Sequence, residues 1–192
     1  MIKNFIKSLL RILFKDYQFI RIYYLDLSQP GTQISEPQLS EESIRRIDSQ
    51  DQLLASADQR IRNHATFVDE QTFAYGMYIG DELIGMCVFW KAEHANLPSR
   101  FSKLNENEAV MVDLLISQKY RGKGYALAMT LFSERDLAMN GYKKLWTWVW
   151  HSNTPSIRVF EKAGWIYSHQ LIELQLYGMK NHLRFKLPAW KY

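Results

Sequence analysis

Residues 113–138, DLLISQKYRGKGYALAMTLFSERDLA, constrain the fold more than any other stretch of the chain. The apolar run at 110–116 reads as a strand and breaks at a polar turn, Arg121-Gly122-Lys123-Gly124-Tyr125-Ala126. Helical spacing then continues through Leu127, Leu131, Phe132 and Leu137. Strand, glycine turn and helix in that order make an anion-binding geometry. Glycine admits a ligand close to the backbone because no Cβ intervenes. The unpaired N–H groups of the first helical turn, at the positive end of the helix dipole, attract negative charge. Arg121 and Lys123 place fixed positive charge at the same mouth.

The pattern excludes two common phosphate sites. A P-loop needs Gly-x-x-x-x-Gly-Lys-Ser/Thr, which does not occur. A dinucleotide fingerprint begun at Gly122 and Gly124 needs a third small residue where Leu127 stands. What fits is Arg/Gln-x-x-Gly-x-Gly/Ala, supplied by Arg121, Gly124 and Ala126. Downstream come a strand at 143–150 and the segment Asn153-Thr-Pro-Ser156-Ile-Arg-Val-Phe160-Glu-Lys-Ala-Gly164-Trp165. On these residues, over roughly 17–187, the chain resembles the GCN5-related N-acetyltransferases (GNAT). The resemblance implies an α+β fold, an α/β/α sandwich. Its central mixed sheet would be mostly antiparallel, with about six or seven strands splayed between the fourth and fifth and flanked by helices.

In chain order, residues 1–15 put Ile2, Phe5, Ile6, Leu9, Leu10, Ile12 and Leu13 on one helical face, with Lys3, Lys7, Arg11 and Lys15 opposite. This is a basic amphipathic helix. Its charges exclude a transmembrane span and break the apolar core that a secretory signal needs. Three placements fit: docking on the protein's own surface or on a sister subunit, lying on an anionic membrane surface, or targeting. We therefore divide the chain into an appendage at 1–16 and one domain at 17–192. Residues 17–27 read as the first strand, and residues 40–63 as one or two amphipathic helices on the acceptor side. Strands at 72–78 and 83–90 flank a Gly80-Asp81 hairpin turn. A polar loop at 94–107 precedes the strand at 108–117. Trp146, Trp148 and Trp150 share one face of the next strand and read as core. A helix at 154–163 and strands at 165–175 and 183–187 complete the chain.

Of the net charge of +4, the first 24 residues hold five basic groups against one acidic, and the rest carries 19 of each. The neutral body argues against a nucleic-acid partner. A single cysteine, Cys87, rules out an internal disulfide and favours a cytoplasmic setting, with the inner membrane surface open to the basic helix. Cys87 itself reads as a buried small hydrophobe. The five histidines show no metal-ligand spacing, so no metal is expected.

Asp113, in an otherwise apolar strand, would have its pKa raised by burial and so become a usable base. His151, at the end of the tryptophan strand, has the ordinary pKa range for proton transfer near neutrality. The resemblance adds Glu108, since family members place a carboxylate near the start of this strand. A structural role is the alternative for all three. The resemblance further implies acetyl-CoA as co-substrate and N-acetylation of a primary amine by direct attack in a ternary complex. Arg121, Gly122, Lys123, Gly124, Tyr125 and Ala126 would hold the pyrophosphate. The backbone edge of Leu114, Leu115 and Ile116 would pair with the pantetheine, the Ile116 N–H facing the thioester oxygen. Asn153 and Ser156 would touch the pantetheine from the other side, Asn153 doubling as a helix cap. One departure stands out: members using a general acid carry a tyrosine where this chain has Phe160. The leaving thiolate would then take its proton from water, from the product ammonium or from a tyrosine of the final strands. The other reading is a non-catalytic acyl-CoA-binding or regulatory module. The acceptor, a small molecule or a glycan or peptide amine, and the choice of monomer or homodimer are not encoded in these patterns.

Overall fold

The computed structural model describes residues 14–28 and 42–189. Its strands are β1 Phe14–Asp26, β2 Glu42–Ile47, β3 Thr72–Ile79, β4 Glu82–Lys91, β5 Glu108–Ile116, β6 Lys144–Trp150, β7 Ile166–Leu176 and β8 Leu183–Pro188. They form one sheet in the order β2-β3-β4-β5-β6-β1-β7-β8. Only β5 and β6 run parallel; every other neighbouring pair is antiparallel. Its helices are α1 Gln50–Leu54, α2 Gln59–Arg62, α3 Tyr125–Met139 and α4 Thr154–Lys162.

The two layers over the sheet follow from the two-residue period of its strands. Along β4, Cys87 and Phe89 face one side, where Met129 and Leu137 of α3 and Ile157 and Phe160 of α4 close over them. Met86, Val88 and Trp90 face the other side, against Leu53 of α1 and Ile61 of α2. With helices on both faces, the eight inner residues of β4 are all buried. On the second face, Phe101 of the 92–107 loop covers Ile20, Ile22, Val110 and Leu171. Arg100 and Arg184 pin that loop down, each donating to Glu173 at 2.6 Å from opposite sides. The Arg100 guanidinium also lies 4.6 Å from the centre of the Trp148 ring.

The expected sandwich and splay are present, with eight strands in place of six or seven. The additional strand is β2, in a region read as helical. Ile44 and Ile47 are three apart, which resembles one helical face. In a strand that odd spacing sends them to opposite faces, and Ile44 indeed joins the α3 side while Ile47 joins the α1 side. Pairing with β3 overrides the local pattern. Likewise β1 starts at Phe14, pairing with Leu176, so Phe14 and Lys15 belong to the sheet and not to the amphipathic helix. Residues 1–13, with the membrane and targeting alternatives attached to them, lie outside the described residues. Cys87 is fully buried.

Candidate active site

The site begins with an irregularity in β5. Phe89 pairs with Met111, but Val88 pairs with Asp113, so Val112 has no partner on β4. Such a bulge bends the strand that carries it. The β5–β6 ladder stops at the same point, its last pair being Met111 with Thr147. Beyond it the two strands part. Their separation opens a cleft of about 190 Å³ lined by Asp113, Leu114, Trp148, Trp150, Asn153, Ser156 and Phe160, among others. A second space of about 610 Å³ shares Leu114, Asn153 and Ser156 with it and runs to Arg121, Gly122, Gly124 and Ala126.

The backbone along this path offers donors. Ser117 N–H bonds to the Ile84 carbonyl, facing β4 at 2.7 Å. By the alternation of an antiparallel ladder, the N–H groups of Leu114 and Ile116 face away from β4, toward the cleft. Arg121 Nε donates to the Ile116 carbonyl at 3.1 Å, seating the turn against the end of the strand. Gly122 and Gly124 have φ of +79° and +86°, a conformation costly for any residue with a Cβ. The first helical bond runs from Ala128 N–H to the Gly124 carbonyl. Among the described residues, the N–H groups of Gly122, Lys123, Gly124, Ala126 and Leu127 meet no acceptor. Of these residues, Gly122, Gly124, Ala126 and Leu127, at and just before the N-terminus of the fifteen-residue α3, line the larger space. Across it, Asn153 caps α4 by accepting from Ser156 N–H at 3.4 Å.

Of the three proton-handling candidates, only Asp113 lines the cleft. Burial raises its pKa, partly offset by His64 and by the Leu114 N–H, which donates to Oδ1 at 2.8 Å. Glu108 sits where β5 and β6 still pair, and accepts from Trp146 Nε1 at 3.2 Å and Asn105 Nδ2 at 3.3 Å. His151 is exposed beside β1, with its N–H and ring nitrogen both against the Phe19 carbonyl. Neither borders the cleft: strand pairing holds Glu108 at the closed end, and His151 lies against β1. Phe160 does line the cleft, stacked on Tyr23 at 6.1 Å. Tyr23 is wholly buried, and desolvation pushes its phenol pKa up.

Two residues that the sequence did not single out emerge here. His64, after α2, brings Nε2 to 3.1 Å from Asp113 Oδ2. No spacing signal marks it, since the contact exists only once α2 packs on the second face. Glu134, on α3, is fully buried beneath Trp165, whose indole N–H donates to Oε1. Its other oxygen has no partner, and desolvation pushes its pKa up to about 8. Among the described residues no cluster of His, Cys, Asp and Glu is arranged to hold a metal.

A sheet opened between two parallel strands, one of them bulged against its antiparallel neighbour, with a glycine turn feeding a helix at the mouth, defines the acyltransferase architecture of the GNAT enzymes. The acetyltransferase (GNAT) family pattern matches residues 37–165, and the chain belongs to that family. Solved structures share the fold. A tandem GNAT protein from the clavulanic acid biosynthesis pathway superposes with a TM-score of 0.60 at 13% identity, over 93% of this chain and 56% of that one. A GCN5-related N-acetyltransferase from Sphaerobacter thermophilus gives 0.55 at 14% identity, over 97% and 57%. One from Kribbella flavida gives 0.57 at 10%, over 91% and 64%. The chain thus spans less than two thirds of the length of each. No curated protein matches the chain.

Proposed function

We propose that the protein is an acetyl-CoA-dependent N-acetyltransferase acting on a primary amine by direct attack in a ternary complex. One observation carries the proposal: the unclaimed amides of the glycine turn and the cleft-facing edge of β5 border connected spaces. A pyrophosphate at Gly122–Ala126 and a pantetheine along Leu114–Ile116 would meet backbone donors there, the Ile116 N–H foremost, since the Leu114 N–H already donates to Asp113 Oδ1. Lys123 and Tyr125 belong to the same turn, and Asn153 and Ser156 supply the opposite wall. Such a co-substrate brings an activated thioester. The chain's own residues bind it, expose its carbonyl beside Asp113 and take up the proton of the amine. Phe160 offers no proton to the leaving thiolate, which then takes one from water or from the nitrogen that has attacked.

The acceptor is a small molecule or a glycan or peptide amine, entering from the face of α1 and α2. Residues 14–192 act as the catalytic unit, 1–13 as an appendage, in a cytoplasmic monomer or homodimer. Among the described residues no helix is long and apolar enough to cross a membrane. Any membrane contact falls to residues 1–13, since Phe14 and Lys15 belong to β1.

Acetyl-CoA at a hundred times its Kd should add about 2.7 kcal/mol of stability. For a chain of this size that raises the melting temperature by roughly 5–10 °C. Thiol release across a panel of primary amines should accompany it. No stabilisation overturns the acetyl-CoA reading. Phe160 favours one other outcome, a binding module, which would show stabilisation without thiol release.

A further inference from the structure

The acceptor face of the cleft holds a histidine–carboxylate contact assembled from distant parts of the chain. Asp113 Oδ1 is fixed by the Leu114 N–H at 2.8 Å. Oδ2, shut off from solvent, lies 3.1 Å from His64 Nε2, at ion-pair distance but without an aligned hydrogen bond. The His64 ring is itself held on two sides. Nδ1 contacts the Arg60 carbonyl, and the ring stands edge-on to Phe67 with centroids 5.0 Å apart.

This arrangement fixes the proton inventory. A carbonyl oxygen can only accept, so Nδ1 must carry a proton to bond Arg60. In the neutral ring Nε2 then presents a lone pair, which would repel an ionised Asp113 oxygen at 3.1 Å. The pair relieves that repulsion by holding one proton, either on Nε2 or on the carboxyl. The two ends open differently although both are partly exposed: the Asp113 side chain, 23% exposed, lines the cleft, and the His64 side chain, 29% exposed, is not among the residues that line it.

We propose that His64 and Asp113 form a proton relay, in which Asp113 accepts the proton of the incoming amine and His64 carries it out to solvent. This rests on the acetyltransferase reading and names a second residue for the same site. The ammonium R–NH3+ gives one proton to Asp113. The neutral nitrogen attacks the thioester carbonyl, the C–N bond forms and the C–S bond breaks with its electron pair on sulfur. The proton then lost from nitrogen goes to the thiolate. In the resting pair the shared proton sits on Nε2, which gives it to water as Asp113 takes the proton of the ammonium. That proton then shifts from the carboxyl to the vacated Nε2, so the pair is restored and the products are amide, thiol and one proton to water. Asp113 is the catalytic residue here and His64 the positioning one.

Few other charges face the pair. From β4 the buried Cys87 thiol lies behind Asp113, itself held protonated by desolvation. From α2 the Arg60 guanidinium is taken by Asp58. From the 92–107 loop Arg100 is taken by Glu173. Residues 147–150 of β6 carry no titratable side chain. His64 is thus the side chain that acts on the Asp113 carboxyl, and it acts to lower its pKa.

The test uses the full chain and H64Q, with D113N as control. Carbon-13 NMR of the side-chain carboxyls, without ligand, should place the Asp113 midpoint above the ordinary carboxylate range in the wild type. In H64Q it should move up by about one unit, because an opposite charge within ~4–6 Å is worth at least that much. With a primary amine of the panel that gives thiol release, the acidic limb of kcat/KM should move up by the same unit in H64Q. D113N should lose on the order of a hundredfold in kcat at neutral pH. A merely structural histidine would lower activity equally at all pH values and leave the limb in place. An Asp113 midpoint unmoved in H64Q, with acetyl-CoA stabilisation intact, overturns the relay alone. Loss of stabilisation in the wild type overturns the acetyltransferase reading instead, and the carboxyl titration still decides whether the pair shares a proton.

Discussion

Substituting Glu134→Gln probes how α3 is seated, because this carboxyl is buried on the helix that begins at the glycine turn. Folding raises its pKa from the ordinary 4.5 to about 8, and burial is the cause. The folded chain therefore keeps the proton to a higher pH than the unfolded chain. Its stabilising contribution is intact below pH 4.5 and is lost as pH climbs through 8. At 1.36 kcal/mol per unit, the loss is about 3 kcal/mol by pH 7 and about 5 kcal/mol above pH 8. Glutamine keeps an oxygen for the Trp165 indole but cannot ionise, so E134Q abolishes the dependence. Its extra amide hydrogens, buried without a partner, cost about 1–3 kcal/mol at every pH. Urea unfolding of both proteins from pH 5 to 9 should show E134Q less stable at pH 5 and more stable at pH 9. A difference that stays flat across that range would refute the argument, since it would mean Glu134 ionises alike in both states.

Three further outcomes follow from the geometry. Gly124→Val should destabilise the turn by about 1–2 kcal/mol, because φ of +86° suits no side chain with a Cβ, and should abolish the thermal shift with acetyl-CoA. Glu173→Ala should cost about 3–5 kcal/mol in urea unfolding, since Glu173 is 3% exposed and its loss strands the charge of Arg100. Phe160→Tyr places a phenol at the cleft wall; stopped kinetics of thiol release should show kcat rising by about tenfold, and an unchanged kcat would mean that thiolate protonation is not limiting.

The sequence alone located the glycine turn at the start of α3, because its signal is local: two glycines, a helix start and flanking charge all lie within a few residues. Asn153 as a helix cap, the Gly80-Asp81 hairpin and the burial of Cys87 were legible for the same reason. The helical reading of residues 42–47 failed because a three-residue spacing of isoleucines serves a helix face and a two-faced strand equally well. Only the free edge of β3 selects between them. The ranking of proton carriers likewise needed the tertiary structure. Glu108, Asp113 and His151 look alike along the chain, yet the ladder between β5 and β6 ends at Met111 and opens only beside Asp113. His64 carries no mark in its neighbourhood, since an ion pair depends on distance in space and α2 is folded onto β5 by the burial of Ile61. Backbone conformation and helix ends are decided by neighbours in sequence; charge pairing, desolvation and the opening of a sheet are decided by packing across it.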